Sequence, residues 1–259
     1  MKKIFMILID GMRSDVLAAV DHPFIKELMK TSRYAIECRS VMPSVTLPCH
    51  MSIFHSVEPC RHGTVTNTYA PQVRPVLGLC EVLHGAGKKV DFFFDWEPLR
   101  DISRPLSLNR SDFINAHIHG YDTADQVLTE CAGSRIKAGE VADFTFFYLG
   151  LVDDTGHKHG WMSKEYIESV KVSLDRAQRL AGLLPENVDF ILTADHGGHE
   201  RSHGTDAAED MNVPLFLRGE NIVPGAMKQS CCIIDIAPTV VARMDLPADT
   251  DWEGKVVFD

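Results

Sequence analysis

With 259 residues, 45% hydrophobic and 24% charged, the chain has the composition of a soluble globular protein and room for one large α/β domain or two small ones. Lys and Arg number 26 against 36 Asp and Glu, a formal charge of -10. This argues against a nucleic-acid-binding surface or an anchor on an anionic membrane, but not against an anionic substrate, because bound divalent cations can reverse a local field. The seven cysteines are odd in number, irregularly spaced and without a C-x-x-C pair, so neither a disulfide framework nor a thiolate zinc site is expected. Reduced thiols imply a cytoplasmic location. The apolar run Ile4 to Ile9 is too short for a signal core, and no stretch is long enough to span a membrane.

Lys3 to Ile9 is nearly all apolar, as in a parallel strand buried on both faces, and stops at Asp10-Gly11. Pro23 to Met29 predicts a short helix burying Phe24, Ile25 and Leu28, and Ala35 to Val41 a strand. Next comes Thr46, two residues before Pro48 and an apolar helical pattern. Proline suits a first helical turn, so Thr46 lies at a helix N-terminus. There it can be a plain N-cap, contributing about 1 kcal/mol, or a hydroxyl in an anion-attracting position. Local sequence alone favours the cap. A loop from Arg61 to Asn67 follows, then a helix over Leu77 to Gly85 and a strand over Lys89 to Phe94. The mixed segment 95–122, with Pro98 and Pro105, reads as a small cap excursion over the sheet's edge. Asp125 to Ala138 predicts an amphipathic helix, and Asp143 to Val152 a strand running into Asp153. Tyr166 to Leu183 predicts a long helix, Val188 to Thr193 a buried strand ending at Asp195-His196, and Val213 to Leu217 another strand. Cys231 to Met244 reads as strand entry into a last helix. Alternating strands and helices indicate a single α/β domain over residues 1–259, with a mainly parallel sheet covered on both faces.

Asp10, Asp153 and Asp195 each follow an apolar strand, and His157, His196 and His203 lie just beyond two of them. An Asp-His pair after a strand can be a turn. In a parallel sheet, however, the three ends meet at one edge, where clustered carboxylates repel unless a cation is present. Histidine neighbours point to zinc, manganese or iron, and the number of ligands suggests two ions. His199-Glu200-Arg201-Ser202-His203 also matches the H-E-x-x-H zinc-protease pattern, which requires a helix. Gly197, Gly198 and Gly204 disfavour one there.

Six segments in order carry a resemblance: Asp10-Gly11; Pro43-x-x-Thr46-x-Pro48-x-His50; Gly63 to Asn67; Asp153-x-x-Gly156-His157-x-x-Gly160; Asp195-His196-Gly197; and His203-Gly204. Together with Ile234 to Thr239 they resemble the type I phosphodiesterase/nucleotide pyrophosphatase branch of the alkaline phosphatase superfamily. The resemblance implies an alkaline phosphatase-like fold and a bimetal-dependent hydrolase of phosphodiester or pyrophosphate bonds. It implies two divalent ions, zinc first, with manganese or iron as alternatives. Asp10, Thr46, Asp195 and His196 would hold one ion, and Asp153, His157 and His203 the other. Thr46 would be the nucleophile, passing through a phosphothreonine-type intermediate, and Asn67 would donate to a phosphoryl oxygen. Tyr148 falls where the family often has an aromatic residue near a nucleotide base, though a core tyrosine fits that strand as well. Leu47 stands at a substrate-facing position where nucleotide-cleaving members often carry an aromatic platform. His50, His55, His62, His159 and His199 have no clear place in the pattern; most are expected in structural roles or behind the metal ligands, with His159 and His199 nearest the metals. The expected partner is a small phosphorylated molecule, with nucleotides among the candidates. A phosphonate hydrolase or phosphomonoesterase of the same superfamily is the nearest alternative. An H-E-x-x-H protease and a non-catalytic binding module lie further off.

Overall fold

The longest apolar runs of the chain become the centre of one sheet. The structure, a computed structural model, describes residues 2–257. Its strands are β1 (Lys3–Ile9), β2 (Arg33–Arg39), β3 (Val90–Phe94), β4 (Arg110–Phe113), β5 (Phe144–Leu149), β6 (Val188–Thr193), β7 (Asn212–Arg218) and β8 (Gly225–Ala226). They form an 8-stranded sheet in the order β4-β3-β5-β1-β6-β7-β2-β8. Only β7 runs against the rest, antiparallel to β6 and β2. Every residue of β5 and β6 is buried, as is all of β1 except Lys3. Both faces are therefore covered, which is why these strands read as continuous apolar runs rather than alternating ones.

Side chains of β5 alternate between the faces. Phe144 and Phe146 pack on Phe54 of the helix Thr46–His55, while Phe147 packs on Phe5 and Phe93. The helix Thr46–His55 is buried along its whole length and packs against the helices Leu79–Gly85 and Ile236–Arg243. The helix Lys164–Ala181 is capped by the Ser163 hydroxyl, which accepts from the Tyr166 N–H. Its buried Tyr166, Val170, Leu174, Ala177 and Leu180 recur at helical spacing. It packs against the helices Val16–Val20, Pro23–Thr31, Tyr121–Lys137 and Leu151–His159.

Register sets the site. Ile9 lies beside Leu149, and Leu8 beside both Tyr148 and Thr193, so β5, β1 and β6 end level with one another. Three expectations change. Segment 95–122, read as an excursion over the sheet's edge, contributes Arg110–Phe113 to the sheet itself, paired in parallel with β3 as β4. β5 stops at Leu149, and Asp153 lies in the first turn of the helix Leu151–His159, because Gly150 breaks the strand ahead of it. The expected strand before the last helix is a single bridge, Arg39 to Cys232, followed by a 3-10 turn over Ile233–Asp235.

Candidate active site

Thr46 is the first residue of its helix, and Val45 is the N-cap, extended at φ -123 and ψ 144 with no side-chain cap bond. The cap reading therefore fails, because a hydroxyl at the first helical position cannot fold back onto the second or third N–H as an N-cap does. The Thr46 Oγ1 atom instead lies 3.1 Å from His196 Nε2. The Leu47 N–H donates to Asn67 Oδ1 at 3.0 Å, tying the exposed loop residue Asn67 to the helix end. The Leu47 side chain is fully buried, so the substrate-facing role expected of it is corrected: an apolar first-turn residue turned into the core cannot form a platform.

The level strand ends bring all the expected ligands together. Asp10, Asp195 and His196 form one group able to hold an ion, and Asp153, His196 and His203 form another, so His196 sits between them. His157 joins the second group, with Nε2 3.4 Å from Asp153 Oδ2 and 3.2 Å from His203 Nε2. Asp153 and His157 are four residues apart on one helix and share a face.

The three imidazoles are oriented alike. Nδ1 of His196 lies 2.8 Å from the Gly197 carbonyl, Nδ1 of His203 2.8 Å from the Ser44 carbonyl, and Nδ1 of His157 3.0 Å from the Arg201 carbonyl. A carbonyl only accepts, so each Nδ1 carries a proton; His196 and His203, which burial keeps neutral, turn their Nε2 lone pairs inward. The His196 lone pair then faces Asp10 Oδ1 at 3.4 Å and Asp195 Oδ2 at 3.3 Å. The His203 lone pair faces Asp153 Oδ1 at 3.7 Å. Those three oxygens are buried and have no hydrogen-bond partner. Lone pairs and anionic oxygens converging in a dry place repel, and a divalent cation in each group satisfies them; backbone carbonyls fixing the rings from behind are a usual feature of metal-binding histidine. The residues present thus fit two metal ions.

Electrostatics agree. Burial, then Asp195 and Asp153, push the Asp10 carboxyl well above the usual carboxylate range, and burial raises that of Asp195. Burial also depresses His196, and His203 to about 4. For Asp153, burial pushes upward, but the His157 hydrogen bond and the nearby His196 and His203 outweigh it and the carboxyl ends low. Its partner His157 rises to about 9, chiefly through the hydrogen bond to Asp153.

The loop carrying His203 is held by Asp210, a buried carboxylate that accepts from the Thr205 N–H at 2.9 Å, the Thr205 hydroxyl at 2.8 Å and His199 Nδ1 at 2.7 Å. Trp161 closes the second group from the side. Its Nε1–H donates to the Gly11 carbonyl at 2.9 Å and its ring lies edge-on to His157, with centroids 5.0 Å apart. A Cβ at Gly156 or Gly198 would come within 2.7 or 2.3 Å of that ring, so only glycine fits there.

Several expectations are corrected at this level. His199 and Ser202 exchange backbone hydrogen bonds in a tight turn, with Glu200 at φ 49, so His199 and His203 share no helix face and the protease geometry is absent. His199 faces Asp210 rather than the ion groups, and His159 is exposed. Tyr148 takes the core position rather than the one near a base: it is 1% exposed, and its hydroxyl donates to Asp10 Oδ2. His50, expected from sequence in a structural role or behind the ligands, lies beneath the site, with Nδ1 2.8 Å from the Thr46 carbonyl and 3.5 Å from Asp195 Oδ2. Its position one turn after Thr46 was the available signal. Ser40, which donates to the Asp195 carbonyl at 2.5 Å, gave none.

A mostly parallel sheet whose central carboxyl ends present two carboxylate–imidazole groups beside a helix-borne threonine defines an alkaline phosphatase-like fold. The profile of the type I phosphodiesterase / nucleotide pyrophosphatase family matches residues 4–81 and 83–215, and the chain belongs to that family. It is 24% identical over 218 residues to human bis(5'-adenosyl)-triphosphatase ENPP4, covering 75% of this chain and 47% of that protein. It is 25% identical over 225 residues to human ectonucleotide pyrophosphatase/phosphodiesterase family member 1, covering 75% of this chain and 23% of that protein. The chain thus spans less than half the length of either relative. Murine ectonucleotide pyrophosphatase / phosphodiesterase 5, an inactive form in complex with AMP, superposes with a TM-score of 0.80 at 15% identity, over 100% of both chains.

Proposed function

We propose that the protein is a two-metal hydrolase of phosphodiester or pyrophosphate bonds that uses Thr46 as its nucleophile. The observation that carries this reading is the Thr46 hydroxyl, freed from capping and 3.1 Å from His196 Nε2, at the edge of two groups whose buried carboxylate oxygens lack partners. Asp10, Asp195, His196 and Thr46 would hold one ion, and Asp153, His157 and His203 the other, with zinc the first choice and manganese or iron the alternatives. When bound, the two ions stabilise charge on phosphoryl oxygens and lower the pKa of the hydroxyl that attacks. The chain's own residues do the rest. Thr46 Oγ1 gives its proton to water and bonds to phosphorus as the bond to the leaving oxygen breaks, and the leaving group takes a proton from water. Water then attacks the phosphothreonine and restores the hydroxyl. The helix N-terminus favours the anionic phosphoryl group. Asn67 Oδ1 is engaged by the Leu47 N–H, which leaves the amide N–H groups as neutral donors for a phosphoryl oxygen, suited to a diester with its single charge.

The names of the relatives and the AMP in the murine neighbour support nucleotides as candidate substrates. With Leu47 buried, a base would have to be held elsewhere than on that residue. For compartment we keep the cytoplasm, supported by seven cysteines that form no disulfide; recovery in the membrane or secreted fraction would overturn it. No helix among the described residues is long and apolar enough to cross a membrane.

The test is a paired assay of metal-loaded protein on bis(p-nitrophenyl) phosphate and p-nitrophenyl phosphate, with Thr46→Ala as the blank. The diester is expected to be preferred, and Thr46→Ala to lose at least roughly a thousandfold in turnover. Undiminished turnover in Thr46→Ala sinks the nucleophile, and preference for the monoester sinks the diesterase reading.

A further inference from the structure

We propose that Tyr148 is a positioning residue for the Asp10 half of the site, holding that carboxylate with Oδ1 turned toward the ion. The proposal rests on the two-metal reading. Tyr148 stands in a strand otherwise rich in phenylalanine, Phe144, Phe146 and Phe147, and it is as buried as they are. Its ring packs edge-on against His50, with centroids 5.5 Å apart, on the face that also carries Phe146. Phenylalanine would meet the packing need. The hydroxyl is what remains to be explained, since a buried phenol without an acceptor is costly.

Its acceptor is Asp10 Oδ2. Register accounts for the reach: Tyr148 lies beside Leu8, and the backbone N–H of Asp10 donates to the Leu149 carbonyl at 3.0 Å. Asp10 is thereby fixed at both ends. Its other oxygen, Oδ1, is buried, has no hydrogen-bond partner and lies 3.4 Å from His196 Nε2. Asp195 repeats the arrangement. Its Oδ1 accepts from the Gly11 N–H at 3.2 Å, while Oδ2 is without a partner 3.3 Å from the same His196 nitrogen. Each carboxylate of this group has one oxygen taken by a donor and one left for an ion. The donor to Asp195 is backbone and cannot be substituted away. The donor to Asp10 is a side chain and can be. Removing it frees Asp10 to rotate and leaves Oδ2 competing with Oδ1 for the ion.

The experiment is zinc titration of metal-free protein against a chromogenic chelator, for wild type and Tyr148→Phe, with the melting temperature of each metal-free protein read alongside. Wild type is expected to bind two ions in resolvable steps. Tyr148→Phe should weaken one step about 10- to 100-fold, the loss usual for removing a partner that orients a metal ligand, and leave the other step unchanged. Cobalt(II) in place of zinc should show a changed visible absorption for the weakened site alone. Two wild-type steps together with an unaltered Tyr148→Phe titration overturn the positioning role, as does an equal weakening of both steps. Wild type binding no metal overturns the two-metal reading instead, so the two failures are distinguishable. Should Tyr148→Phe fail to fold, Tyr148→Met, which fills the same space flexibly and offers no donor, takes its place.

Discussion

Asp210 offers the sharpest test of how the loop bearing His203 is held. Its buried carboxylate accepts from the Thr205 N–H at 2.9 Å, the Thr205 hydroxyl at 2.8 Å and His199 Nδ1 at 2.7 Å. Hydrogen bonds to a charged group contribute about 1.5–3 kcal/mol each, and the half-exposed His199 contact about 0.5–1 kcal/mol. Asp210→Ala should therefore cost about 4 kcal/mol and, in a domain of this size, lower the melting temperature by roughly 8–16 °C. Asp210→Asn keeps an amide oxygen for Thr205 and loses mainly the charge, so about half that loss is expected. His203 takes its orientation from the Ser44 carbonyl and from this loop, so zinc affinity should fall together with stability. Urea denaturation and zinc titration of the three proteins decide the matter. An Asp210→Ala protein within about 1 kcal/mol of wild type, with unaltered zinc binding, would show that the loop is held by something else.

Other consequences can be measured. Gly198→Ala places a methyl group within 2.3–2.7 Å of Trp161 ring atoms, and should cost about 1–3 kcal/mol and shift tryptophan emission; an unchanged spectrum and stability would contradict the close packing. Asp95 and Asp125 are fully buried beside one another, and neither Asp95 oxygen has a partner. Burial, then Asp125, push Asp95 well above the usual range, and burial raises Asp125 to about 6. A raised folded-state pKa gives stability that is present at low pH and lost as pH rises through that value. Asp95→Asn, neutral throughout, should gain on wild type between pH 5 and pH 8; a constant difference refutes the raised Asp95 carboxyl. Chelation should lower the melting temperature by several degrees and added zinc should restore it, because the ions bind only the folded chain. No response to either treatment would remove the metal centre.

Much of the sheet was legible because β1, β5 and β6 are buried on both faces and so read as unbroken apolar runs. The clustering of Asp10, Asp153, Asp195, His196 and His203 was legible because apolar parallel strands that end in aspartate bring those ends to one sheet edge. What stayed hidden depended on pairing. Nothing local to Arg110–Phe113, with its polar alternation, showed that β3 lay beside it. Nor did anything local to Tyr148 show that Leu8 was its neighbour, which is why its base-side and core positions stayed open and its reach to Asp10 unseen. Thr46 was read one position off because a cap and a first-turn residue differ only in whether the backbone has already turned helical, which sequence resolves poorly.

The order of strands in the sheet has a consequence for how the site comes into being. Ile4 sits between Phe144 and Asp189, so β1 finds its two neighbours only well over a hundred residues further along the chain. Closing loops of that length carries an entropic cost before any contact rewards it, which makes such pairings slow. A growing chain that has not yet released β6 holds Asp10 and Asp153 but lacks Asp195, His196 and His203. An ion that needs both carboxylate–imidazole groups would find them complete only after β1 has paired with β5 and β6.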